Sequence, residues 1–184
     1  MIAKFKRPVL IPIDMQRALD LPGRPPRWNL DLDRNGLALL AAWRKKDLPI
    51  IHVRHDSVDP QSWFHPDHPG NELRPGFEPA AGEALVCKSV NSAFIGTDLD
   101  LRLRRLQADA LVMFGFCTDM CVSTTVRFGA NLGWPVIVVG DACDCCDLPD
   151  PFGGSPIAAK EVHRIHLATL AEEFAQVVNI QDIL

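Results

Sequence analysis

Six short apolar runs recur along the chain, and each is parted from the next by a stretch of helical or turn character. They are Arg7–Ile13 (RPVLIPI), Pro49–Arg54 (PIIHVR), Ala84–Lys88, Ala110–Gly115 (ALVMFG), Pro135–Val139 (PVIVV) and Gln176–Val178. Runs this short and this uniformly apolar read as strands buried on both faces. Helical patterns fill several of the gaps. Leu30–Lys46 carries Leu37, Leu40 and Ala41 and ends in Arg44-Lys45-Lys46, cations that suit a helix C-terminus. Leu99–Leu106 reads as a second helix, and Thr118–Gly133, with Val122, Val126 and Ala130 four residues apart, as a third. Ser155-Pro156 reads as the start of a fourth helix running to about Phe174. Strands alternating with helices predict an α/β fold: a single three-layer αβα domain over residues 1–184, with a central, mostly parallel, six-stranded sheet.

Length and composition agree with one domain. A chain of 184 residues, 47% hydrophobic and 23% charged, buries enough surface to fold without a metal or disulfide. Its formal charge is 19 − 23 = −4, which offers no attraction to phosphate backbones or anionic lipid, so no nucleic-acid or membrane partner is expected. No apolar run approaches the roughly 18 residues of a membrane span. After Lys4, Lys6 and Arg7, a signal-type apolar core is interrupted by Pro8, Pro12 and Asp14. Six cysteines without a leader read as reduced thiols, and the expected compartment is the cytoplasm.

In open parallel sheets, ligands bind beyond the carboxyl ends of the strands. Three reactive residues fall at such ends: Asp14, Lys88 and, just past the ALVMFG run, Cys121. Thr118 is placed to cap the following helix, which would put Cys121 in the first turn. There the macrodipole favours a thiolate, and free N–H groups are available to an oxyanion. Lys88 nearby would lower the thiol pKa further, and Asp14 would accept its proton. The long segment from His55 to Gly82 is rich in Pro, Gly, Asp and His, and reads as a loop over the site.

With these residues in view, the chain resembles the isochorismatase-like cysteine hydrolases, the superfamily that includes nicotinamidases and several ureide and amide hydrolases. The resemblance runs from Val9 to the C-terminus. Its carriers are Ile13-Asp14-Met15-Gln16, Cys87-Lys88 through Thr97, Gly115 through Arg127, and Asn131-Leu-Gly133 followed by Val136–Val139 and Asp141-Ala142. It implies an isochorismatase-like, Rossmann-like fold and a catalytic triad of Asp14, Lys88 and Cys121. It also implies a cis peptide at Phe116-Cys117 and an oxyanion hole from the backbone N–H groups of Cys117 and Cys121. The implied activity is hydrolysis of a small amide, ureide or imide through a thioester, without cofactor, by a homo-oligomer of two or more copies.

Departures from the family pattern bear on the substrate. Nicotinamidases of the family bind a metal through an Asp-x-His motif after the second strand. Here that place reads Arg54-His55-Asp56-Ser57. His52, His55, Asp56, His65 and His68 have no common zinc spacing, and no metal is expected. True isochorismatases hydrolyse a vinyl ether and lack the cysteine, so Cys121 points to a C–N bond. The aromatic residue that usually follows the Gln is missing after Gln16. Trp28, Trp63 and Phe64 are candidates for the aromatic wall, while Gln16, Arg54 and His55 are candidate substrate contacts, the last two toward a carboxylate. Cys143-Asp-Cys145-Cys146 has no partner pair of matching spacing elsewhere in the chain and reads as packing. Two alternatives stay open: a metal-assisted nicotinamidase-type amidase, and a non-catalytic ligand-binding module that keeps the fold.

Overall fold

The computed structural model describes residues 4–23 and 27–184. Six strands form one all-parallel sheet: β1 (Pro8–Ile13), β2 (Ile51–His55), β3 (Ala84–Lys88), β4 (Ala110–Phe116), β5 (Val136–Asp144) and β6 (Gln176–Val178), in the order β3-β2-β1-β4-β5-β6. Four α-helices complete a three-layer arrangement: α1 (Leu32–Lys45), α2 (Leu99–Arg105), α3 (Ser123–Asn131) and α4 (Ala159–Glu173). Helix α1 packs on β1, β4 and β5, whereas α3 and α4 pack on each other and on β5. Every residue of β1 and β4 is buried, as expected of central parallel strands covered on both faces. Among the described residues, no helix is long and apolar enough to cross a membrane.

Strand order reverses between β1 and β4. From β1 the chain steps outward to β2 and β3, then returns to β4 and steps the other way to β5 and β6. The carboxyl ends of β1 and β4 therefore flank the crevice where ligands enter such sheets. Pro12 interrupts the pairing on the β2 side of β1. Leu10 N donates to Pro49 O at 3.0 Å and Asp14 N to Val53 O at 2.9 Å, but Pro12, the donor position between them, has no N–H. Gly115 closes the other side. Its φ is +132°, and a Cβ built there would fall 2.1 Å from Ile13 O, so only glycine lets β4 pass the end of β1.

Several element boundaries differ from the sequence reading. Strand β2 is shifted to Ile51–His55, and α3 begins at Ser123 rather than at Thr118. Strand β5 continues through Gly140-Asp141 to Asp144, paired with β4 as far as Phe116 across a register irregularity. The irregularity sets residues 139–142 of β5 against Phe114 alone, and the glycine that reads as a stop falls inside it. Helix α4 begins at Ala159 rather than at Ser155. Ile157 is held extended against Leu148 by two backbone bonds of 2.8 and 3.0 Å, and Asp147 Oδ1 accepts from Ala159 N at 2.7 Å.

The loop after β2 is tied down along its length. Asn71 Nδ2 donates to His55 O, Asp56 Oδ1 and Phe64 O at 3.1, 2.9 and 2.8 Å. Arg74, 8% exposed, forks onto Asp20 and Asp33. The loop thus reaches back to the start of α1 and holds Phe64 over the strand ends.

Candidate active site

Asp14 is the first residue past β1, in the left-handed region at φ +53°, with its backbone N–H held by Val53 O. Its carboxylate is buried. Oδ2 accepts from Lys88 Nζ at 2.8 Å, while Oδ1 has no hydrogen-bond partner among the described residues. Lys88, the last residue of β3, is 2% exposed despite its charge. Its ammonium has three protons and meets three acceptors: Asp14 Oδ2, His55 Nδ1 at 2.9 Å and Cys121 Sγ at 3.3 Å. A buried ammonium is tolerable only when paired and fully hydrogen-bonded, and this one is both.

Cys121 lies in a π-helical turn, Thr118–Val122, between β4 and α3. Such single turns are frequent at functional sites. Thr118 does not cap a helix here. Its Oγ1 lies 3.1 Å from Asp144 O and 2.9 Å from the buried His163 Nδ1, so it staples the turn to β5 and α4. Nor does the resting site favour a thiolate. Burial and then the Asp14 carboxylate push the Cys121 thiol up to about 12, against the opposing effect of Lys88. Cys121 therefore rests as a thiol beside a carboxylate oxygen that lacks a partner. The peptide bond Phe116-Cys117 is cis. The Cys117 thiol donates to Asp119 Oδ1 at 2.6 Å, and hydrogen bonding with Cys145, then burial, raises its pKa, so its sulfur is no nucleophile.

Asp14 and Cys121 face a cavity of about 330 Å³. Its walls are apolar where Phe64, Phe116, Met120 and Leu148 meet it, and polar at His55 and Asn91, with the thiols of Cys117 and Cys146 alongside. His55 and Phe64 thus reach the site, their rings edge to face at 5.8 Å and 89°.

Four other substrate candidates do not line it. Gln16 is fully buried, and its amide is consumed by backbone: Nε2 donates to His55 O and Asn71 O, and Oε1 accepts from His55 N. Arg54 forks onto Asp56 at 2.8 and 3.0 Å and does not line the cavity. Trp63 is also absent from the lining, its ring lying beside Gly23. Trp28 stacks edge-on against His163. Asn91, Met120 and Leu148 were missed by the sequence reading. The signal for the first two was adjacency, since Asn91 follows Lys88 by three residues and Met120 precedes Cys121. Leu148 had no signal, because its place depends on the bridge to Ile157.

The histidines do not converge. His52 Nε2 pairs with Glu83 at 2.8 Å, while His65 and His68 accept backbone N–H bonds within their own turns. Among the described residues, the one group whose donor atoms come together is Asp14, His55 and Cys121, all within 4.8 Å of one another. Lys88 Nζ already bonds all three, so these residues do not fit a metal ion.

The isochorismatase domain model matches residues 8–182. The uncharacterized isochorismatase family protein YrdC of Bacillus subtilis is 33% identical over 179 residues, 97% of this chain and 95% of that one. A crystal structure of an isochorismatase-family protein from Chromobacterium violaceum shares 42% identity, with a TM-score of 0.91 over 96% of this chain and 91% of that one. A cysteine hydrolase from Pseudomonas syringae superposes with a TM-score of 0.87 at 28% identity, over 96% and 90% of the two chains. A shorter stretch of 65 residues, 35% of this chain and 26% of the other, is 38% identical to the ureidoacrylate amidohydrolase RutB of Serratia proteamaculans.

Proposed function

The chain belongs to the isochorismatase family of hydrolases, and from that premise we propose that it cleaves a C–N bond of a small amide, ureide or imide with Cys121 as nucleophile. One observation carries the reading. On the floor of a cavity, a single buried ammonium ties a carboxylate to a thiol, and the carboxylate keeps one oxygen without a partner. The cysteine hydrolase and amidohydrolase names among the relatives support the same chemistry.

In the proposed reaction, Asp14 Oδ1 takes the Cys121 proton as sulfur attacks the carbonyl carbon. The C=O pair moves to oxygen, and that oxyanion rests on the backbone N–H groups of Cys117 and Cys121. Asp14 then returns the proton to the departing nitrogen, the C–N bond breaks, and a thioester remains on Cys121. Water, deprotonated by Asp14, attacks the thioester. The acid leaves, and the thiol is restored. Lys88 holds Asp14 in place between these steps through the 2.8 Å bond to Oδ2.

Turnover by chelator-treated protein, read as ammonia release from primary amides and ureides and as the acid–amide product from imides, tests this reading. Turnover is expected to fall by about 10³-fold or more in Cys121→Ala, the scale on which nucleophile removal acts. Full turnover retained by Cys121→Ala would end the proposal.

A further inference from the structure

Resting on the hydrolase reading above, we propose that the cavity takes an uncharged amide or imide with a compact apolar substituent, and discriminates against substrates that carry a carboxylate. Among the described residues, the two cations nearest the site, Lys88 and Arg54, are already engaged. Lys88 spends its three N–H protons on Asp14, His55 and Cys121, and its charge is answered by Asp14 at 2.8 Å. Arg54 is committed to Asp56 through both arms of its fork and stands outside the lining. Among the described residues, the charged group that lines the cavity is the Asp14 carboxylate, whose Oδ1 lacks a partner and would oppose a second anion. A carboxylate brought here would lose its water without gaining an ion partner, which is costly in a partly enclosed apolar site.

The walls favour the opposite kind of ligand. Phe64, Phe116, Met120 and Leu148 offer hydrocarbon and aromatic surface, and Asn91 offers a neutral donor and acceptor suited to an amide. A volume of about 330 Å³ lies at the small end of ligand cavities, so the substituent must be compact.

Iodoacetamide and iodoacetate test this directly, because they deliver nearly the same group, one as an uncharged amide and one as a carboxylate. The rate of each at Cys121 is read by mass spectrometry of its peptide, and the ratio is divided by the same ratio for glutathione. The normalised ratio is expected to favour iodoacetamide by about tenfold or more. Met120→Arg places a cation on a wall residue that is 47% exposed, and should narrow that preference at least severalfold. A ratio near one, or in favour of iodoacetate, overturns the inference while Cys121-dependent ammonia release keeps the hydrolase reading. A Cys121 inert to both reagents, in protein that turns over no panel member, removes the hydrolase reading and this inference with it.

Discussion

Lys88 Nζ stands 2.9 Å from His55 Nδ1, and that contact settles which ring nitrogen carries the proton. An ammonium only donates, so Nδ1 accepts and the neutral ring keeps its proton on Nε2. Burial and then the Lys88 charge hold the imidazole below its usual pKa, against Asp14, Asp56 and a backbone hydrogen bond at Val90. His55 thus gives the ammonium a neutral acceptor, and the Lys88 charge remains directed at Asp14 and Cys121. His55→Ala should lower kcat by about tenfold, the cost of one lost charge-assisted bond, and His55→Gln should recover part of it. Protonating His55 would set one cation against another, so the wild-type acid limb should lie below about pH 6.5. A pH profile of His55→Gln with the same acid limb would show that a group other than His55 sets it.

The effect of Asp14 on Cys121 gives a prediction in two opposite directions. The carboxylate raises the thiol pKa, second only to burial, while Lys88 lowers it. Asp14→Asn removes the opposing charge and leaves Lys88 facing the sulfur. The thiolate fraction should rise, and alkylation of Cys121 at pH 7–8 should speed up by about tenfold. Turnover should nevertheless fall by about 10²-fold or more, because no group remains to move the proton to the leaving nitrogen. Slower alkylation in Asp14→Asn would mean that Asp14 draws the proton even in that simple reaction.

Much of this arrangement is legible in the sequence, and its limits have physical causes. The bounds of β3 and β6 coincide with their apolar runs, since both are decided locally. Asp14, Lys88 and Cys121 each follow or end such a run, so the parallel topology alone gathers them. Gly140 misleads because it falls in a break of register, and the pairing with β4 that resumes at Cys143 and Asp144 lies 28 residues away in sequence. Gln16 and Arg54 mislead because polar side chains at strand ends look free until their partners are placed. For Gln16 those partners are the backbone of His55 and Asn71, and for Arg54 the carboxylate of Asp56. The thiol pKa was read with the wrong sign because helix position is visible in sequence, whereas burial of the sulfur is not.

Gln16 is better understood as a clamp than as a substrate contact, and its loss should register in stability. Gln16→Ala would strip partners from His55 N and Asn71 O in a closed interior. About 2–4 kcal/mol of stability should disappear, the range for two buried groups left unpaired. Urea unfolding should show a lower midpoint with an unchanged slope. Activity should weaken as well, because the same amide positions His55. A midpoint within experimental scatter of wild type would mean that water replaces the amide without cost.

Glu83 fastens the outer part of the sheet through charge, and its titration gives a stability signature with a definite sign. Its carboxylate accepts from Arg44 Nε at 2.7 Å, His52 Nε2 at 2.8 Å and Ala80 N at 2.8 Å. Burial raises its pKa, but the bonds from Arg44, Ala80 and His52 outweigh it and bring the group down to about 2 from an ordinary 4.5. Because the folded value is depressed, its stabilisation is complete above pH 4.5 and is lost as pH falls from there toward 2. His52 acts in the same direction from a higher start. Burial lowers its folded pKa below 6.5, so the unfolded chain takes up that proton first and stability begins to fall below that pH. Glu83→Gln should therefore cost roughly 1–2 kcal/mol at pH 7, after allowance for solvent screening at a site near the surface. The gap to wild type should narrow as pH falls through 4.5 toward 2, as the wild-type carboxylate loses its charge. Urea midpoints of the two proteins at several pH values decide it. A gap that persists unchanged at pH 3 would assign the loss to packing or hydrogen-bond geometry rather than to the carboxylate charge.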